Sequence, residues 1–238
     1  MRAGICQQAD AGLFIYHGRG MHMCDKMKEE ICRSCIDCGS VRCDENDGLF
    51  PDFCLTTPLT EEDKEVIKAL YMQPENNKAM IEAANLEYEG YGRLTRVEET
   101  VEYAKKLGVR RIGIATCTGL IRESRILAKI LRYHGFEVYG VACKAGMIEK
   151  TSVGIRPECA EAGTYICNPI FQAKQLAKAG TELNIVMGLC VGHDSLFYKY
   201  SEALTTTLVV KDRVTGHNPA GVLYNSESYY RRKLFPAK

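Results

Sequence analysis

An α/β architecture, with a mostly parallel sheet flanked by helices and a small cysteine-rich metal-binding module on its amino-terminal side, is predicted by three observations. From Arg111 onward, short β-branched runs alternate with helix-length amphipathic segments, the pattern of βαβ units joined by right-handed crossovers. Between Cys54 and Cys117 lies a stretch that is free of cysteine and reads as helical. Ahead of both, residues 32–54 hold five cysteines within 23 residues. The large apolar side chains there are few (Ile36, Val41, Leu49, Phe50 and Phe53), too few for a core when ordering each residue costs about 1–2 kcal/mol in backbone entropy.

Residues 1–31 read as an irregular leader outside any sustained period, with Met23 or Met27 as alternative functional starts and Cys6 and Cys24 in no spacing pattern. Residues 32–58 form the cysteine-rich module, and residues 59–238 the α/β domain with its helical lead-in. In that lead-in Thr60 caps an acidic first turn followed by Val66, Ile67 and Leu70 on one face. A second helix begins near Pro74 and carries Met80, Ile81, Ala84 and Leu86. A third starts at Thr95, where Thr95 and Glu98 fit a capping box, and ends before Gly108.

Five strands are expected after it: RIGIAT, FEVYGVAC, the short TYIC, NIVMGLC and TTTLVVKDRV. Helices fill the gaps, from about Leu120 to His134, from Ile170 to Gly180, and after Cys190. The last of these is expected to set Leu196, Tyr200, Ala203 and Leu204 on one face.

A net charge of +1 gives no electrostatic case for nucleic acid or a membrane surface. No apolar run reaches the length of a bilayer span, and the first residues lack the basic start and apolar core of a secretory signal. A cytoplasmic setting follows, where cysteines serve metal or redox roles rather than disulfides.

Two groups of cysteines carry candidate chemistry. Cys35-x2-Cys38-x4-Cys43-x10-Cys54 offers four thiolate ligands, with Cys32 as a fifth thiol. The spacing matches neither a zinc ribbon nor the two-cluster ferredoxin run, and thiolates suit zinc and iron–sulfur alike. A structural metal, which contributes roughly 10–16 kcal/mol in small zinc peptides, would replace the missing core.

The second group is Cys117, Cys143, Cys167 and Cys190, each at the end of an expected strand. Ligands of open α/β sheets bind beyond the carboxyl ends of the strands, and neighbouring strands lie about 4.8 Å apart, so four thiols would share one mouth. The plainer reading is that cysteine is a small, readily buried residue. His193 and Asp194, which open the helix after Cys190, are a ligand and its partner, an acid/base pair, or a rim residue and a helix cap. Gly119 and Gly192 stand singly and make no nucleotide fingerprint. Lys211-Asp212-Arg213, with Gly216 to Pro219, is a polar loop or a wall that contacts substrate.

These motifs resemble an uncharacterised prokaryotic family, the domain-of-unknown-function 1847 family. The resemblance rests on Cys35-Ile-Asp-Cys38, Cys43, Pro51-Asp-Phe-Cys54, Ala115-Thr-Cys117-Thr-Gly-Leu120, Cys143-Lys-Ala-Gly146 and Cys167-Asn-Pro-Ile170. It continues through Gln172-Ala173, Gly188-Leu-Cys190-Val-Gly-His193-Asp194-Ser-Leu-Phe197, Lys211-Asp-Arg-Val214 and Gly216-His-Asn-Pro219, so that it spans roughly residues 32–224. It implies a cytoplasmic, metal-binding protein and names no reaction.

Three functions fit. The first is a cysteine-rich protein with one metal centre on Cys35, Cys38, Cys43 and Cys54 and a second site, iron–sulfur cluster or redox thiols, on Cys117, Cys143, Cys167 and Cys190. It would work with a redox partner. The second is an enzyme with a structural zinc and a Cys190 or Cys117 nucleophile, His193 as base and Asp194 beside it, acting on a small molecule. The third is a metal sensor or store without turnover.

Overall fold

In a computed structural model, residues 33–40, 43–45 and 49–237 are described. The leader, Cys6, Cys24 and Cys32 lie outside them. The chain divides into two units, Met1–Leu70 and Tyr71–Lys238.

Among its described residues the first unit has a one-turn 3-10 helix, Cys35–Asp37, and a helix α1, Glu61–Tyr71, that runs to its boundary. Ser34 and Asp37 cap the former reciprocally. Thr60 caps the latter by accepting from the Asp63 N–H at 3.1 Å while Asp63 accepts from the Thr60 N–H at 3.0 Å. None of the described residues of this unit is buried, and Ile36 is 94 % exposed.

The second unit opens with α2, Pro74–Gly90, and α3, Arg96–Leu107. The capping box at Thr95 and Glu98 is formed, and Gly108 ends α3 with φ of 68°. Four strands follow: β1 (Arg111–Thr116), β2 (Glu137–Ala142), β3 (Leu183–Met187) and β4 (Leu204–Val209). All pair in parallel, in the order β2-β1-β3-β4. Helices α4 (Ile121–Tyr133), α5 (Pro169–Lys178) and α6 (His193–Tyr200) make the crossovers, and two short helices, α7 (Ala220–Tyr224) and α8 (Arg231–Leu234), close the chain.

Alternation along the central strands sorts the core into two layers. Ile112, Ile114, Leu183, Ile185 and Met187 pack with Val101 and Ala104 of α3 and Leu127 and Leu131 of α4. Ala115, Val141 and Val186 pack on the other face with Ala173 and Leu176 of α5 and Phe197 of α6. Cys117 and Cys143 continue that parity and belong to this second layer.

Two expectations are corrected. TYIC is not a sheet strand: Tyr165 makes an isolated antiparallel bridge to Glu149, within a segment of 3-10 turns punctuated by Gly154, Pro157 and Gly163. A four-residue run held between those breakers is too short to pair along a ladder. Ala203 and Leu204 do not extend the face of α6, because the helix stops at Tyr200 and Leu204 begins β4.

The centre of the sheet needs a glycine. Gly113 of β1 faces Asn184 of β3, whose buried amide donates to Ser201 Oγ at 2.9 Å and accepts from Thr181 Oγ1 at 2.8 Å. A Cβ on Gly113 would stand 2.1 Å from Asn184 Oδ1 and 3.0 Å from Leu176 Cδ1. Gly113→Ala should therefore lower unfolding stability by about 2–4 kcal/mol, the sum of overpacking and a strained buried hydrogen bond. An unchanged urea midpoint would contradict this packing.

Candidate functional site

Four thiols of the second unit lie on segments at the carboxyl edge of the sheet. Thr116 stands opposite Ala142 and opposite Met187, so the residues that follow on three adjacent strands leave the sheet side by side. The ladder continues one step further: the Cys143 N–H donates to Thr116 O at 2.8 Å, and the Cys117 N–H donates to Met187 O at 3.1 Å. Cys167 reaches the same edge from a loop, because the next residue, Asn168, donates its N–H to Cys143 O at 2.7 Å. Cys190 follows the β3 end by three residues and begins the turn into α6, where its carbonyl accepts from the N–H groups of His193 and Asp194.

Electrostatic interactions connect these residues in overlapping pairs. Burial pushes the Cys143 thiol up to about 11; the Thr118 N–H opposes this at 3.4 Å from its sulfur, and Cys167 and Cys117 add to the rise. Arg213 donates from Nη2 to Cys190 Sγ at 3.2 Å, and this bond, with the charges of Cys190, Cys117 and Cys167, holds its guanidinium above its usual range. Burial lowers the His193 imidazole below its usual range, Lys144 and Arg213 act in the same direction, and Asp194 opposes them. The ring is thus neutral near pH 7. Among the described residues no hydrogen bond joins it to the Cys190 sulfur, whose partner is Arg213.

Several residues of this edge stand in the quoted motifs but had no role assigned from them. Gln172, fully buried on α5, donates from Nε2 to Thr116 O at 3.1 Å and to Val141 O at 2.7 Å, strapping the ends of β1 and β2. In the sequence it stands in the Gln172-Ala173 motif, a polar residue beside Ala173 and Leu176 on an otherwise apolar face. Asn168 caps α5 through Oδ1, which accepts from the Phe171 N–H at 3.1 Å, while its buried Nδ2 has no partner. Asp212 accepts from the Val214 and Thr215 N–H groups at 2.8 and 3.1 Å. Thr215 foremost holds that carboxyl below the usual range, and the turn so formed carries Arg213.

The donor sets were tested against a metal. Among the described residues, no three His, Cys, Asp or Glu side chains are gathered closely enough to hold an ion. This applies to Cys35, Cys38, Cys43 and Cys54 of the first unit, where the Cys54 sulfur accepts from the Thr56 N–H at 3.3 Å and is lowered by the Thr57 and Thr56 backbone N–H groups. It applies equally to the strand-end four. The nine described cysteines are all free thiols, and Cys159 lies in a 3-10 turn, Pro157–Ala162, apart from both sets by sequence. A cavity of about 480 Å³ opens between α2, α3 and β4, lined by Tyr91, Arg96, Glu99 and Tyr103 among others, and it holds no thiol or histidine.

The chain matches, over residues 54–208, the model of the family described as protein of unknown function (DUF1847), and it belongs to that family. It is also 47% identical over 168 residues to an uncharacterised protein of Methanocaldococcus jannaschii, a match covering 71% of this chain and 86% of that protein. The family span takes in Cys54, Cys117, Cys143, Cys167 and Cys190, and leaves out Cys35, Cys38, Cys43 and Arg213.

The raised Cys143 thiol makes a pH prediction. Its folded pKa of about 11 lies above the ordinary 9.0, so between those values the folded state retains a proton that the unfolded state has lost. Stability is fully present below pH 9 and falls as pH rises toward 11. Urea unfolding in that window should show a decline that is shallower in Cys143→Ala. An equal slope in both proteins would remove Cys143 as the source.

Proposed function

We propose that this member of the DUF1847 family is a thiol protein whose chemistry takes place at the carboxyl edge of its sheet. Cys190 is the thiol that meets the reactant, and Cys117, Cys143 and Cys167 stand behind it. The observation that carries this reading is the 3.2 Å contact from Arg213 Nη2 to Cys190 Sγ. A half-exposed sulfur beside a guanidinium is the electropositive, accessible setting in which cysteines react. The strand-end thiols also supply partners for dithiol–disulfide chemistry, in which two thiols give up two electrons and two protons as one S–S bond forms. The electrons would pass to a redox partner or an oxidised small molecule. His193, neutral through burial, is the candidate proton acceptor at this edge, with Asp194 beside it in sequence.

A second reading concerns the first unit and is favoured by a separate observation, the lack of any buried residue among those described there. A segment without a core gains order from thiolate–metal bonds, so Cys35, Cys38, Cys43 and Cys54 are proposed to close around zinc or iron on binding. The strand-end thiols have the same soft-donor chemistry, but their sulfurs are not gathered for an ion, and no step is drawn through a cluster. Nine free thiols suit a reducing, cytoplasmic setting. Among the described residues no helix is long and apolar enough to cross a membrane.

The test is anaerobic purification of the full chain, with elemental analysis, a visible spectrum and mass-mapped alkylation. Cys190 should be the fastest of the four strand-end thiols to take up iodoacetamide at pH 7.5. Cys38→Ser should lose metal without slowing that labelling. Labelling of Cys190 no faster than that of Cys143 would remove the reactive-thiol role. A brown chromophore with iron and sulfide that vanishes in Cys190→Ser would replace it with a cluster.

A further inference from the structure

We propose that the strand-end site accepts a reactant bearing an oxyanion, a carboxylate or a phosphate, held over the thiols by Lys211, Arg213 and Lys144. This rests on the reading of Cys190 as the reacting thiol and adds the charge of what it reacts with.

Three cations from two different loops point to it. Lys211 lies half-buried just past β4, and its Nζ reaches the turn that follows β1: a Cβ built on Gly119 would meet that nitrogen at 3.3 Å and Cys117 Sγ at 3.8 Å. The ammonium and the Cys117 thiol thus flank one point. The aliphatic stem of Lys211 lies along Gly188 at the end of β3, where a built Cβ would be 3.7 Å from its Cδ. Arg213 uses one donor on Cys190 Sγ and keeps the rest of its fork, the geometry that grips a planar oxyanion. Lys144 follows Cys143 on the β2 side, gives one hydrogen to Tyr165 O at 2.6 Å, and acts through its charge on His193.

Among the described residues Lys211, Arg213 and Lys144 form no ion pair. The two carboxylates on the same segments face their own backbone: Asp212 accepts from Val214 and Thr215, and Asp194 Oδ1 accepts from the Ser195 N–H at 2.8 Å. Lys211 and Lys144 are half-buried and Arg213 is exposed, and an anion brought to this edge would be attracted by all three. Two helix termini add a field of the same sign. Helices α4 and α6 both begin just beyond the β1 and β3 ends, so the positive ends of their dipoles lie at this edge, although the first N–H groups of α6 are already paired with Cys190 O, Asp194 Oδ1 and Gly192 O. Asn168 Nδ2, on a side chain 95% buried by its 5% exposure, has no acceptor and lies under the turn that follows Cys143, 3.0 Å from a Cβ built on Gly146.

The experiment compares two alkylating agents on the full chain, iodoacetate and iodoacetamide, with the modified cysteine identified by peptide mass mapping. In both, the sulfur takes the methylene carbon as the C–I bond breaks, iodide leaves with the bonding pair, and the thiol proton passes to solvent; they differ only in carrying a carboxylate or a neutral amide. The ratio of the two rates at one sulfur is independent of how much thiolate that sulfur carries. At Cys190 the iodoacetate-to-iodoacetamide ratio should exceed that of free cysteine by roughly fivefold. It should drop by roughly two- to threefold in Lys211→Gln and in Arg213→Gln, the range of a part-exposed ion pair. Lys211→Arg, which keeps the charge, should retain the ratio, and added sodium chloride should lower it. Protection by inorganic phosphate but not acetate would assign a phosphate reactant, and the reverse a carboxylate. A ratio equal to that of free cysteine, with Cys190 still labelled quickly by iodoacetamide, overturns the oxyanion site and leaves the reactive thiol standing. If neither reagent labels Cys190, the reactive thiol fails and the anion site is decided by thermal unfolding in phosphate: a stabilisation lost in Lys211→Gln supports it, and no stabilisation overturns it.

Discussion

The carbonyl of Thr116 is the joint on which this edge depends. It ends β1, and it accepts both the Cys143 N–H at 2.8 Å and the Gln172 amide at 3.1 Å. Those two bonds fix the β2 end and α5 against the central strand, and the Thr116 hydroxyl, on the opposite face, lies 2.6 Å from Ser124 Oγ of α4. A buried carbonyl must be paired, and here its partners belong to two other elements. The sulfur positions follow from that pairing, since Cys117 and Cys143 are one residue beyond a fixed register and Asn168 hangs Cys167 on the Cys143 carbonyl.

The two units are held by different means. In the second, two apolar layers cover both faces of the sheet, and the thiols sit at the rim of one of them. In the first, the described residues carry local caps and exposed contacts, such as the Arg33 guanidinium 4.5 Å from the Phe53 ring centroid, and no buried side chain. A cation–π contact at an exposed site is worth about 0.5–1 kcal/mol, less than the entropy of ordering a single residue or two. Thiolate bonds to a metal would be of the size required, and the proposal for the first unit draws on both the cysteine density of residues 32–54 and the lack of buried side chains among its described residues.

What could be read from the sequence is what is decided locally. The Thr95–Glu98 box, the Gly108 stop and the apolar runs of β1 and β3 depend on neighbours a few residues away, and each stands where the residues put it. The short TYIC run has the composition of a strand but no strand beside it, and pairing is a tertiary matter. Leu204 matched a helical period that Ser201 had already broken, since the spacing of apolar residues says nothing of where a helix ends without a cap. That Cys117, Cys143 and Cys190 follow strand ends was legible from the βαβ pattern, and a topological rule places such residues at the ligand-binding edge. The sequence left Lys211-Asp212-Arg213 open between a polar loop and a substrate-contacting wall: Lys211 and Arg213 are placed by the Asp212 turn and by His217, whose Nδ1 accepts the Asp212 N–H at 3.1 Å and whose backbone takes a φ of 73°. Charged residues on a loop have no periodicity from which a direction could be inferred.

The central claim is that Cys117, Cys143, Cys167 and Cys190 form one neighbourhood, with Cys143 between Cys117 and Cys167. A short bis-electrophile that bridges two thiols only when their sulfurs are a few ångströms apart tests this directly, when applied to the full chain at pH 9 and mapped by mass spectrometry. The account predicts bridges within the set, chiefly Cys143 to Cys167 and Cys143 to Cys117, and none from these residues to Cys159. Bridges that join the strand-end cysteines only to residues outside the set would contradict it.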